Sequence, residues 1–128
     1  MTDLVACIGA GKGTWTGVFR LAAMPEFENV FLIANEWTKN TLKTESPKIK
    51  IITINDAQTT AQIRDSIAAQ MKGMVKGLEA AINMDSGTGK EHTAMITALM
   101  RLGLSFRFVS FENGKMEEVS YDLRVEED

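Results

Sequence analysis

The sequence contains very few of the residues that build covalent or metal-linked scaffolds. Its 128 residues include one cysteine, one histidine and two prolines. The single cysteine, Cys7, cannot form an intramolecular disulfide and has no second thiol with which to complete a metal site. Because Cys7 lies in the apolar run DLVACI, we expect a small buried strand residue. No metal site and no cofactor are predicted.

Long apolar runs and an excess of basic residues are also missing. No stretch approaches the roughly 18 apolar residues of a membrane span, and the start, MTDLVACIGAGKG, lacks the features of a signal peptide. We therefore expect a cytoplasmic protein without membrane contact. The net charge of -3 argues against binding duplex nucleic acid, which requires a basic face. A small phosphorylated ligand remains compatible, since a few lysines and backbone amides suffice to hold one.

The pattern that is present alternates strands and helices along one expected domain, residues 1–128. Helical spacing of apolar residues predicts helices after Gly13, after Glu36, from the capping residues Asn55 and Asp56 through Leu78, and over 92–102. Short apolar or alternating runs predict strands at 3–8, 29–35, 48–54, 79–84 and 104–111. The Asn-Gly pair in ENGK then predicts a hairpin whose partner strand is MEEVSYDL, before a frayed end, LRVEED.

This order predicts an α/β, three-layer, Rossmann-like fold with helices on both faces of a mostly parallel sheet. Right-handed crossovers favour the strand order 3-2-1-4, followed by a C-terminal antiparallel hairpin. Strands 1 and 4 are then neighbours where the order reverses, and ligands of such sheets bind beyond the carboxyl ends of these strands. The two glycine-rich loops, GAGKGT at 9–14 and DSGTGKE at 85–91, follow those two strands.

We therefore predict an anion or nucleotide site between these loops. Each loop begins a helix and offers backbone amides, hydroxyls and a lysine. Asn35 ends strand 2 and Trp37 comes just after it, where they could read or stack on a base, although Trp37 fits simple packing equally well. The predicted ligand-binding residues are Gly9, Gly11, Lys12, Gly13, Thr14, Asn35, Asp85, Ser86, Gly87, Thr88, Gly89, Lys90 and His92.

Familiar nucleotide and hydrolase motifs fit poorly. A P-loop needs glycine where Met84 stands, which we attribute to Met84 being the last buried residue of strand 4, and it needs serine or threonine where Glu91 stands. GAGKGT has Thr14 where the dinucleotide fingerprint has its third glycine. Ser86 lies in no nucleophile elbow, and His92 is too close to it in sequence for the usual catalytic triad.

Three segments, CIGAGKGTWTGVFRL, ENVFLIAN and INMDSGTGKEHTAMITALMRLGLSFRFV, resemble the CARF (CRISPR-associated Rossmann fold) domain family. The segment 83–88 stands where that family has its second motif, and Lys90 stands for its basic residue. Two departures are visible: Asp85 replaces the usual serine or threonine, and Gly89 displaces the lysine by one position. The resemblance implies a homodimer that binds a cyclic oligoadenylate in a shared groove and acts as a sensor in type III CRISPR-related signalling.

The resemblance leaves two alternatives to pure binding. The chain could be a metal-independent ring nuclease that cleaves cyclic oligoadenylate, in which ligand 2′-hydroxyls attack the adjacent phosphate while protein groups stabilise charge. Its candidate catalytic residues are Lys90, Ser86 and His92. The chain could also be a small Rossmann-like interaction module without enzymatic activity.

Overall fold

The computed structural model describes residues 2–9, 11–42, 44, 46–75 and 77–119, and only the backbone of Lys12. The predicted end of the partner strand and the segment LRVEED lie outside this part of the chain. The elements are β1 Thr2–Cys7, α1 Trp15–Ala22, β2 Phe27–Asn35, α2 Glu36–Thr41, β3 Ile49–Ile54, α3 Thr60–Met71, β4 Glu79–Asn83, α4 Gly89–Arg101, β5 Ser105–Glu112 and β6 Lys115–Val119.

A six-stranded sheet with the order β3-β2-β1-β4-β5-β6 forms the middle layer. The strands β1 to β5 pair in parallel, and β6 pairs antiparallel with β5 at the edge. The predicted α/β Rossmann-like fold, with its order 3-2-1-4 and its C-terminal hairpin, is therefore confirmed. The hairpin turn uses Asn113 and Gly114, both at positive φ, as the Asn-Gly signal indicates.

Helices cover both faces because the buried strands are apolar on both sides. In β1, Leu4 and Ala6 face α1, whereas Val5 and Cys7 face α3 and α4. The α3 and α4 face is completed by Ile63, Ile67, Met71, Ala94, Met95, Ala98 and Leu99. The α1 face is completed by Val18, Leu21 and Ala22. The resulting three layers leave the ends of the strands, rather than their faces, accessible to ligands.

Two helix starts differ from the prediction, because capping boxes set them. α3 begins after Thr59, whose hydroxyl accepts from the N-H of Gln62 while the Gln62 side chain accepts from the N-H of Thr59. α4 begins at Gly89, three residues earlier than predicted, because Thr88 and Glu91 form the same reciprocal pair. The Thr-x-x-Gln and Thr-x-x-Glu spacings in the sequence carry both signals.

Two expectations about apolar residues are wrong. α3 ends at Met71, so the predicted stripe does not continue to Leu78, which is 83% exposed. β4 ends at Asn83, and Met84 is 37% exposed instead of being the last core residue of the strand. The missing P-loop glycine at position 84 therefore has no explanation in core packing.

Among the helices of the described residues, none combines the length and the apolar character that a bilayer crossing requires.

Candidate functional site

The carboxyl ends of β1 and β4 lie side by side, with Ala6 opposite Asn83 in the parallel register. The chain leaves them through the β1 loop, residues 9–14, and the β4 loop, residues 85–91. The two loops touch: the backbone N-H of Gly9 donates to Oγ of Ser86 at 2.9 Å. A Cβ atom on Gly9 would lie 3.1 Å from the backbone N and Cα of Gly87. The two loops thus bound one cleft, which lies where the strand order reverses.

The cleft has a volume of about 500 Å³ and is open to solvent. Its lining residues are Gly9, Gly11, Thr14, Asn35, Asp56, Asp85, Ser86, Gly87, Thr88, Lys90 and Glu91. Most of the predicted ligand-binding residues are therefore brought together. Gly13, Gly89 and His92 are not in this lining, and the side chain of Lys12 lies outside the described residues.

Ser86 joins the two loops rather than projecting freely into the cleft. Its side chain is buried, with the residue 2% exposed, and its hydroxyl accepts the Gly9 N-H. No histidine side chain is bonded to this hydroxyl; the ring of His92 instead contacts the backbone of the same residue. This geometry does not activate Ser86 as a nucleophile, which requires a base within hydrogen-bond reach of the hydroxyl.

The ring of His92 contacts the backbone of the β4 loop. Its Nε2 lies 2.7 Å from the carbonyl oxygen of Ser86. Because a carbonyl only accepts, Nε2 must carry the hydrogen in this contact. His92 Nε2 would also lie 3.3 Å from a Cβ atom on Gly87. The ring therefore holds the loop in place and has its Nε2 committed to the protein.

The N-terminus of α4 already holds a carboxylate of the chain. Oε1 of Glu91 accepts the N-H of Thr88 at 2.8 Å, and the Thr88 hydroxyl accepts the N-H of Glu91 at 3.2 Å. Glu91 is 6% exposed and lines the cleft. A helix has more free N-H groups than one capping box satisfies, and Lys90 of the first turn of α4 lines the cleft. In the sequence, Glu91 stands out only as a departure from the P-loop.

Asp85 is positioned by the buried side chain of Asn83. The Asn83 amide donates to Oδ2 of Asp85 and to the carbonyl of Val109, both at 2.9 Å, and its Oδ1 accepts the N-H of Asp85 at 3.1 Å. The exposed Asp85 carboxylate is thereby fixed at the wall of the cleft. This rigid placement favours donors on a ligand, such as hydroxyl or amino groups.

Asn35 and Lys90 connect the cleft to the loop after β3. Asn35 caps α2 by accepting the N-H of Thr38 at 2.8 Å, and its amide donates to Oδ2 of Asp56 at 2.9 Å. Nζ of Lys90 donates to the carbonyl oxygen of Asp56 at 3.1 Å. Asp56 is therefore held from both sides, although its position after β3 gave no sign of this role in the sequence analysis.

The charge balance of the cleft is negative among the side chains that the structure describes. Asp56, Asp85 and Glu91 line it together with one ammonium group, that of Lys90. Like charges within one small site repel an additional polyanion. The cleft thus favours a ligand with dispersed charge and many hydroxyl groups over a triphosphate.

Trp15 is a further residue that fixes the β1 loop. Its Nε1-H donates to the carbonyl oxygen of Gly9 at 2.7 Å. Gly9 is therefore bonded through its N-H to the β4 loop and through its carbonyl to α1. An indole six residues after a glycine turn is a weak signal in sequence, because the same residue also fits the apolar stripe of α1.

Cys7 lies under the β4 loop at the end of β1 and is completely buried, as expected. Burial raises the pKa of its thiol well above the ordinary value, and the nearby Glu91 carboxylate raises it further. The thiol is therefore protonated and belongs to the floor of the site. Within the described residues, no group of three or more histidine, cysteine, aspartate or glutamate side chains is arranged to hold a metal ion.

No protein-family model matches the chain, and no curated protein matches it significantly.

Proposed function

We propose that the chain is a nucleotide-binding domain whose ligand lies in the cleft between the β1 and β4 loops. The observation that carries this proposal is the bond between Gly9 N-H and Ser86 Oγ, which unites both loops into one wall. It occurs where the order of a parallel sheet reverses, the usual binding position in such folds. Because the two loops are already joined before a ligand binds, less conformational entropy is lost on binding.

The chemistry of the lining supports a nucleotide with phosphodiester groups. The α4 amides and the Lys90 ammonium suit a phosphate, while Asp85 suits ribose hydroxyls. Each phosphodiester carries a single negative charge, so it meets less repulsion from the three carboxylates than a triphosphate would.

Within this class we propose a cyclic oligoadenylate, bound by a homodimer that acts as a sensor in type III CRISPR-related signalling in the cytoplasm. The support for this step is the resemblance of the loop segments to CARF domains, together with the cleft chemistry. A cyclic ligand shared by two copies would meet both copies of the cleft, and each pair of loops would face half of the phosphates of the ring.

Binding without cleavage fits the geometry better than ring hydrolysis. Of the candidate catalytic residues, Ser86 accepts the Gly9 N-H through its hydroxyl, and His92 donates to the Ser86 carbonyl. Lys90 is exposed at the cleft, where its ammonium group also donates to the Asp56 carbonyl. Incubating the protein with cyclic tetra-adenylate and a chelator, followed by chromatography, tests cleavage. Linear products ending in a cyclic phosphate would establish the ring-nuclease alternative and contradict this assignment.

Calorimetric titration with cyclic tetra- and hexa-adenylate tests the proposal. We expect binding to at least one ring, and binding about tenfold or more weaker in Lys90→Ala, since a charged hydrogen bond to phosphate is lost. Lys72→Ala is the matched control, because Lys72 is exposed at the end of α3 and does not line the cleft. No heat with either ring at high micromolar concentration would refute the cyclic oligoadenylate proposal. Gel filtration showing only monomer with ligand present would refute the shared groove.

A further inference from the structure

A second cleft opens beyond the carboxyl ends of β2 and β3. It has a volume of about 550 Å³, and its lining includes Trp37, Thr53, Asn55, Gln58 and Ser66. Asn35 and Asp56 line this cleft as well as the first one. The bond between these two side chains, 2.9 Å from Nδ2 to Oδ2, is therefore the boundary that both clefts share. A ligand that fills the first cleft can extend across this boundary into the second.

Trp37 is the aromatic group of the second cleft. It is 56% exposed, so the alternative of simple packing beneath α2 is wrong. Its backbone is fixed nevertheless: Asn35 caps α2, and the Trp37 carbonyl accepts the hydroxyl of Thr41 at 2.8 Å. An indole held by a rigid backbone, with an open face in a polar cleft, is a platform on which a planar ring can stack.

Asp56 supplies a carboxylate acceptor beside this platform. The Asp56 carboxylate uses Oδ2 for Asn35 and has lone pairs left on both oxygens. Two of the lining residues are joined by Gln70, whose amide donates to the Thr53 carbonyl at 2.9 Å and to Ser66 Oγ at 3.1 Å. A ring whose edge carries an amino group would donate to Asp56, whereas a ring edge rich in carbonyl groups would be repelled by the carboxylate.

We propose that the second cleft is the base subsite of the ligand whose phosphate and ribose occupy the first cleft, with Trp37 stacking on the base and Asp56 accepting from its amino group. This inference rests on the proposed nucleotide binding and adds the part of the ligand that gives it selectivity. Asp56 would select bases that carry an amino group, such as adenine, over uracil. Trp37 would provide affinity, because its loss removes the stacking surface.

The first test compares variants by calorimetry with cyclic tetra-adenylate. We expect Trp37→Ala to bind about tenfold more weakly than the wild type. The affinity of Trp37→Phe should lie between those of the wild type and Trp37→Ala, since the smaller ring stacks less. Met100→Ala is the control, because Met100 is 61% exposed on α4 and lines neither cleft. Wild-type affinity in Trp37→Ala would overturn the base subsite and leave the proposed nucleotide binding intact.

The second test uses tryptophan fluorescence with AMP, UMP and ribose 5-phosphate. AMP should quench the wild-type protein but not Trp37→Phe, which retains Trp15; ribose 5-phosphate, which lacks a base, should quench neither. Quenching by AMP without binding of either cyclic oligoadenylate would uphold the base subsite and refute the cyclic ligand. Equal affinity for AMP and UMP would overturn the role of Asp56. No response of Trp37 to AMP would overturn the base subsite, whereas the titration with the two cyclic rings alone decides the proposed function.

Discussion

The β1 loop and the β4 loop form opposite walls of one cleft, but their conformations are fixed to different degrees. The β4 loop is held at four of its seven residues, by Asn83, Gly9, His92 and the Thr88 capping box. In the described part of the β1 loop, Gly9 makes the long-range bonds, whereas Thr14 bonds only to Gly11 within the loop. One wall is thus rigid, and the other can adjust around a ligand from its anchor at Gly9.

The glycines of the two loops give the sharpest contrast and the largest expected effect. Gly87 has φ +97, and a Cβ atom there would lie 2.8 Å from Cβ of Cys7. Gly87→Ala should therefore reduce the free energy of unfolding by about 3 kcal/mol, from backbone strain plus the clash. Chemical denaturation measures this change.

Two glycines with open space serve as controls for that substitution. A Cβ atom at Gly89 or Gly11 meets nothing within 4 Å, and neither residue has a positive φ. Gly89→Ala lies in the first turn of α4 and should stabilise the protein by less than about 1 kcal/mol. Equal stability of Gly87→Ala and Gly11→Ala would contradict the difference between the tightly held β4 loop and the β1 loop.

The contact between the loops predicts the next largest effect. Ser86→Ala leaves the Gly9 N-H without its partner in a partly buried place, which should lower the free energy of unfolding by about 2 kcal/mol. Thr14→Ala removes an exposed hydroxyl that bonds only to Gly11 and should change stability by less than about 0.5 kcal/mol. If Ser86→Ala and Thr14→Ala lose the same stability, the bond from Gly9 N-H to Ser86 Oγ is not what holds the two loops together.

The two tryptophans have different expected roles: Trp15 supports the β1 loop, and Trp37 contacts the proposed ligand. Trp15→Phe loses the 2.7 Å bond to the Gly9 carbonyl and should lower the free energy of unfolding by about 1.5 kcal/mol. Trp37→Phe changes a largely exposed ring and should leave stability within about 0.5 kcal/mol of the wild type. Thermal denaturation of both variants decides this; a larger loss in Trp37→Phe would contradict the assignment of Trp37 to ligand contact.

The buried thiol under the β4 loop predicts a smaller, pH-dependent effect. Burial raises the pKa of Cys7 in the folded protein, whereas the unfolded chain ionises near the ordinary value of 9.0. Above that pH the unfolded state binds fewer protons than the folded state, so stability falls as pH rises. From about pH 9 to about pH 10 the wild type should lose about 1 kcal/mol more than Cys7→Ala. Parallel pH curves would show that the floor beneath Gly87 is accessible to water.

The fold and the position of the cleft were predictable because they depend on signals that repeat along the chain. Alternating strands and helices set the order 3-2-1-4, and the glycine loops follow β1 and β4 by that order alone. The roles of individual side chains were less predictable. Asp56 and Glu91 enter the cleft through contacts with Asn35, Lys90 and Thr88 that depend on three-dimensional geometry. The helix predicted from apolar periodicity is also longer than α3, because apolar residues beyond Met71 keep helical spacing without being helical.

The measurement that tests the central claim most directly is a backbone amide NMR titration with cyclic tetra-adenylate and cyclic hexa-adenylate. With at least one ring, we predict simultaneous shifts in the β1 loop, at Gly11 and Gly13, and in the β4 loop, at Gly87 and Gly89. The larger changes should occur in the β1 loop, whose conformation is less constrained. Shifts confined to one loop, or no shift in either loop at high micromolar concentrations of both rings, would contradict a shared nucleotide cleft.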